Sequence, residues 1–161
     1  MRSFGVGVFA GIAACAVVAP ACAATVKIVD VKLRLYFEDT GEWSPDVSRM
    51  KGPWTNVARG RGVFRRPATT VLIDATFGGP KDGAPKYATA EVEISRMTPM
   101  GQPALTREAL QAFRFGPDGL VHKAILLQSA TCQPLTVRVS SGRVAKTLTI
   151  PFRCTPPKPN R

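Results

Sequence analysis

Groups that do chemistry are scarce in this chain. It has one histidine, His122, in 161 residues, and no Gly-x-Ser-x-Gly elbow, His-Glu-x-x-His pair or phosphate-binding glycine loop. General acid–base and nucleophilic catalysis both need grouped titratable side chains, so the sequence points away from an enzyme. A hydrolase built on His122 is the weakest of the readings that remain, because the residues around His122 pattern as a strand with the imidazole facing outward. Glu91 and Glu93 share one strand face and could form a carboxylate pair, but a solvated sheet face accounts for them better.

Cysteine is equally sparse, and its placement is informative. Of four cysteines, Cys15 and Cys22 fall within the first 24 residues, and Cys132 and Cys154 stand alone beyond them. Arg2, the apolar run from Phe4 to Val18 and the small-residue end Ala21-Cys22-Ala23-Ala24 read as a signal peptide cleaved after Ala23 or Ala24. Rivals are an uncleaved anchor, which Pro20 disfavours, and lipidation at Cys15 or Cys22. No later segment is apolar for long enough to span a bilayer. Export to the periplasm or beyond places Cys132 and Cys154 in an oxidising compartment, where they can pair. No Cys-x-x-Cys spacing supports a redox switch, so the pair is expected as a staple. With the cysteines paired, a soft metal could recruit only His122, Met50, Met97 and Met100. No cofactor is expected, and a periplasmic metal-handling or metalloenzyme accessory role is the alternative to a binding module.

Acids are outnumbered two to one, 11 against 22 Lys and Arg, and none follows Asp118. The densest basic stretch runs from Arg49 to Arg66, with Arg49, Lys51, Arg59, Arg61, Arg65 and Arg66 interrupted by Trp54 and Phe64 and by no acid. Guanidinium groups match phosphate and carboxylate bidentately, and an aromatic beside them can stack on a ring or sit at a membrane interface. Arg49, Lys51, Trp54, Arg59, Arg61, Arg65 and Arg66 are therefore the candidate binding residues. The expected partners are an envelope protein or an anionic envelope component such as lipid head groups, lipopolysaccharide or acidic glycan; nucleic acid is disfavoured. A second basic field comprises Lys123, Arg138, Arg143, Lys146, Arg153, Lys158 and Arg161, and merges with the first if the loop folds beside the final hairpin. Trp43 and Trp54 would serve a salt-resistant protein contact. Against all of this stands the plain reading that the cations keep sheet edges and surfaces solvated.

Residues 25–154 pattern as one domain of short strands. Val31, Leu33, Leu35 and Phe37 alternate with polar residues, as do Val71, Ile73, Ala75 and Phe77, and Ala88, Ala90, Val92 and Ile94. Leu120–Gln128 is a nearly continuous apolar strand, and Leu135–Ser140 and Lys146–Phe152 flank a turn at Ser141-Gly142. Residues 105–113 are ambiguous between two helical turns and a strand. A long irregular connection runs from Gly41 to about Asn56, and the proline-rich tail 155–161 is expected not to pack. About seven strands with frequent turn signals and no long amphipathic helix predict an all-β antiparallel sandwich. Cys132 and Cys154 flank the last hairpin, so the disulfide would close its open end.

Gly41-Glu42-Trp43-Ser44-Pro45-Asp46-Val47, then Trp54-Thr55-Asn56-Val57 and Gly60-Arg61-Gly62, and finally Cys132-Gln133-Pro134-Leu135 with Pro151-Phe152-Arg153-Cys154, resemble a group of small secreted bacterial proteins of unassigned function. The resemblance implies an immunoglobulin-like β-sandwich and no activity. The chain departs from that group's pattern in placing Thr55 between Trp54 and Asn56. The expectation is thus an exported, non-enzymatic binding or interaction module with an immunoglobulin-like fold.

Overall fold

The computed structural model describes residues 26–85, 88–98 and 101–155. The expected signal peptide and almost all of the proline-rich tail lie outside them. No helix among the described residues is long and apolar enough to cross a membrane.

Among the described residues, eight strands form two antiparallel four-stranded sheets: β1 (Lys27–Phe37), β2 (Glu42–Trp43), β3 (Thr70–Gly78), β4 (Ala90–Met97), β5 (Pro103–Leu110), β6 (Leu120–Leu127), β7 (Leu135–Ser141) and β8 (Val144–Ile150). The first sheet runs β2-β1-β3-β6 and the second β5-β4-β7-β8. The period-two rows do what their spacing predicts. Val31, Leu33, Leu35 and Phe37 of β1, Val71, Ile73, Ala75 and Phe77 of β3, and Val92 and Ile94 of β4 all lie in one buried core. Residues 111–119 leave β5 and plug that core with Phe113 and Phe115, Phe113 meeting Phe77 edge-on at 5.1 Å. The hairpin β7–β8 closes through Gly142 and Arg143, and Gly142 takes the positive φ of 58° that so tight a turn needs.

The ambiguous segment 105–113 is not helical. Residues 103–110 pair in full register with β4, from Met97 opposite Pro103 to Ala90 opposite Leu110. Only Leu110 of this edge strand is buried, so no apolar alternation marked it in the sequence. Eight backbone partners on β4 outweigh the weak local helical preference. The final strand also ends earlier than its apolar row suggested: Phe152 is buried beyond β8, reached by an irregular step at Pro151.

Open strand edges invite pairing with other chains. In β1, three successive outward amides are met by side-chain oxygens instead of a partner strand. Val31 N–H donates to Asp30 Oδ1 (2.9 Å), Leu33 N–H to Asp46 Oδ1 (3.1 Å) and Leu35 N–H to Ser44 Oγ (2.8 Å). The edge strands β6 and β8 each turn one lysine inward. Lys123 lies opposite buried Ala75 and donates to the carbonyls of Gln111 and Ala112, while Lys146 lies opposite buried Val139 and reaches Asp30 at 2.8 Å.

Candidate anion-binding surface

The basic stretch belongs to the long connection between β2 and β3, which two short 3-10 turns, Val47–Arg49 and Val57–Arg59, and three apolar anchors hold in place. Val47, Val57 and Ala68 are fully buried. Gly62 lies against Val57 so closely that any Cβ at this position would collide with the Val57 side chain. Asn56 organises the rest. At a φ of 57°, in the left-handed region that asparagine tolerates better than most residues, its carbonyl accepts from the amides of Arg59 (3.0 Å) and Arg61 (3.1 Å). Its own amide donates to the Arg153 carbonyl (2.8 Å), and its side-chain oxygen accepts from the Thr155 amide (2.8 Å). Sequence reasoning missed this residue as a positioning element. An asparagine immediately ahead of a Val-Ala-Arg-Gly turn was the available signal.

Asn56 thereby joins the loop to the segment that follows β8, where Thr55 and Arg153 form an isolated parallel bridge. The Cys132–Cys154 disulfide, with Cα atoms 4.7 Å apart, secures the same segment from the other side. The two basic fields do meet here. Arg59 Nη1 donates to the Thr155 carbonyl at 3.2 Å, and Arg153 is exposed on the bridge itself.

The seven candidate residues divide into three groups. Lys51, Arg61 and Arg65 are exposed and form no ion pair or side-chain hydrogen bond among the described residues, and Arg59 is exposed with only a carbonyl as partner. Arg49 and Arg66 are committed internally. Arg49 pairs with Asp30 (3.0 Å) and Asp46 (3.5 Å), while Arg66 pairs with Glu42 (3.1 Å) and Asp39 (3.5 Å) and lies over the Phe37 ring at 4.8 Å. The stretch has no acid of its own, and the fold supplies four from outside it. Trp54 requires correction as a binding residue: it is 9% exposed and packs edge-on against Phe152 with centroids 5.7 Å apart. An indole in a basic loop can anchor the loop instead of meeting a ligand, and burial against the end of the second sheet selects that role.

Other candidates stay apart. His122 is outward-facing on β6 as expected, with Nδ1 3.3 Å from Asp74 Oδ1 and 3.1 Å from Thr76 Oγ1. Arg107 ties Glu91 (3.5 Å) to Glu93 (3.1 Å), which makes that pair part of a charged sheet face. Met50 packs half-buried against the core, Met97 is exposed at the end of β4, and Met100 lies outside the described residues. No cluster of three or more His, Cys, Asp or Glu side chains arranged for a metal occurs among the described residues.

The fold alters the titration of Asp30. The hydrogen bond from Lys146 is the largest cause, with the Val31 amide and the charges of Lys146 and Arg49 adding to it, and together they hold its pKa below the usual value of 3.8 against an opposing effect of burial. A lowered folded-state pKa contributes stability that is present above the unfolded pKa and lost as pH falls through the folded one. Asp30→Asn is therefore expected to destabilise the protein near neutrality. The gap between wild type and variant should close as pH drops from about 5 to about 2 in denaturation curves taken across that window. A gap that stayed constant over the window would remove Asp30 as its source.

Comparison with protein-family models, curated proteins and solved structures finds no match for this chain.

Proposed function

We propose that the protein is an exported, non-enzymatic binding module whose rigid basic loop docks on an anionic surface of the cell envelope. The observation that carries this reading is the exposed set Lys51, Arg59, Arg61 and Arg65, presented by a loop whose backbone is fixed through Asn56 and whose remaining arginines are already neutralised. A loop whose backbone is already held loses less freedom on meeting phosphate than a mobile one, and its guanidinium groups can engage phosphate bidentately. The ligand chemistry is a phosphate-bearing surface, from a phospholipid headgroup or from lipopolysaccharide. Export rests on the leader-like first 24 residues and agrees with the disulfide.

The immunoglobulin-like reading belongs to the same proposal. Setting aside the two-residue β2, the first, second and fifth strands share one sheet, and the fourth, third, sixth and seventh share the other in that order. This distribution supports an immunoglobulin-like sandwich whose fourth strand has moved to the second sheet, and in such domains binding loops gather at the ends.

Retention on phosphatidylglycerol vesicles, on lipopolysaccharide and on neutral phosphatidylcholine vesicles, in low and in high salt, tests the loop. Wild type is expected to be held by one or both anionic surfaces in low salt only. Replacing Arg59, Arg61 and Arg65 together by glutamine should abolish retention without changing the melting temperature. Undiminished retention of that variant, or equal retention on neutral vesicles, would overturn the proposal.

A further inference from the structure

A second surface, remote in character from the basic loop, lies on the outward face of the first sheet. Alternation along β1 sends Lys32, Arg34 and Tyr36 away from the core, and the strand register gives each a lateral neighbour. Tyr36 stands beside Trp43 of β2; Arg34 stands beside Leu72 of β3 and, one strand further, Leu126 of β6; Lys32 stands beside Asp74. Trp43 leans across Tyr36 with ring centroids 5.0 Å apart and planes at 53°, yet keeps 40% of its surface exposed. Leu126 is more exposed still, at 62%.

The charge on this face is unbalanced. Among the described residues, Arg34 and Lys32 form no ion pair or side-chain hydrogen bond, and the buried Nε of Arg34 has no hydrogen-bond partner. Of the neighbouring carboxylates, Asp30 is paired with Arg49 and Lys146 and Glu42 with Arg66, which leaves Asp74, beside Lys32 and within hydrogen-bond distance of His122, as one negative charge against two positive ones. A partly desolvated guanidinium without a counter-charge is costly, and an incoming anion would relieve that cost. Beside it, the exposed indole of Trp43, tilted at 53° against half-buried Tyr36, offers a face for a ring with an apolar side and polar edges. Side chains two apart on a strand are about 7 Å from one another, so a ring on Trp43 and Tyr36 places its substituents within reach of Arg34.

We propose that this face binds the acidic sugar residues of a polysaccharide. A pyranose ring stacks on Trp43 with Tyr36 against its edge, its carboxylate is met by Arg34 and Lys32, and Leu72 and Leu126 continue the apolar surface under the adjoining ring. The proposal goes beyond the charge-driven docking of the loop and uses none of its residues, so either can fail alone.

Titration of the protein with oligogalacturonate and with neutral maltohexaose, followed by tryptophan fluorescence and calorimetry, tests it. Trp54 is buried, so a fluorescence change reports Trp43. The acidic oligosaccharide is expected to bind at least about tenfold more tightly than the neutral one. Trp43→Ala should weaken it by about tenfold or more while Trp43→Phe retains most of the affinity, since the stacking face is kept. Arg34→Gln should remove the preference for the acidic ligand, and the triple loop variant should bind it within about twofold of wild type. Four results would each overturn the proposal: no binding, equal affinity for both oligosaccharides, binding insensitive to Trp43→Ala and Arg34→Gln, or equal binding of a poly-glutamate peptide.

Discussion

Trp54→Ala is expected to cost about 3–5 kcal/mol of folding stability, a large part of the roughly 5–15 kcal/mol that holds a domain of this size together. The indole is buried against Phe152 and stands where the β2–β3 connection crosses the segment after β8. Its removal leaves a cavity between these two elements. The Trp54 carbonyl also accepts from the Arg153 amide at 3.3 Å, so relaxation of the backbone there would disturb the parallel bridge. Urea denaturation followed by circular dichroism measures the loss. Trp43→Ala is the matched control, because an indole that is 40% exposed and tilted against one tyrosine leaves no closed cavity and is expected to cost less. If Trp54→Ala unfolded at the wild-type midpoint and instead lost only ligand binding, the indole would be a recognition residue after all.

Replacing both Cys132 and Cys154 by serine is the second large effect, with an expected loss of about 3 kcal/mol and a fall in melting temperature on the order of 10 °C. The separation of 22 residues sets the magnitude, since the cross-link removes conformations from the unfolded chain according to the length of the loop it closes. The two cysteines bracket the β7–β8 hairpin, so without the bond this edge hairpin and the loop beside it lose a common tether. Hydrogen exchange should accordingly quicken first at the amides of Asn56, Arg153 and Thr155, which form the junction between the basic loop and the chain end. The same thermal and exchange measurements under reducing conditions should reproduce the double variant. An unchanged melting temperature would show that the hairpin and the core hold this end without the bond.

These effects separate what is legible in the chain from what is not. The strands whose one face is buried could be read directly, because burial on one side imposes alternation: β1, β3 and β4 carry their core residues at the expected positions. β5 could not, since it contributes only Leu110 to the core and owes its conformation to the backbone of β4. The disulfide was accessible by elimination once the first 24 residues were read as a leader. Among the candidate binding residues, the sequence marked a cluster of cations but not which of them are free. Arg49 and Arg66 find acids at Asp30, Asp46, Asp39 and Glu42, which lie up to 27 positions away along the chain. The surface built on Trp43, Tyr36 and Arg34 was hidden for a similar reason, as its neighbours come from β3 and β6.

The amino-acid sequence by itself determined the all-β character, the antiparallel core rows, the cysteine pair and the excess of positive charge, because each follows from local spacing or from composition. Only the tertiary structure decided that Trp54 is an anchor, that residues 103–110 form a strand, that the two basic fields meet at Asn56 and Arg153, and that Arg34 lacks a counter-charge. These outcomes depend on contacts between residues far apart in the chain, and the same side chain can be buried, paired or exposed according to what the fold brings beside it.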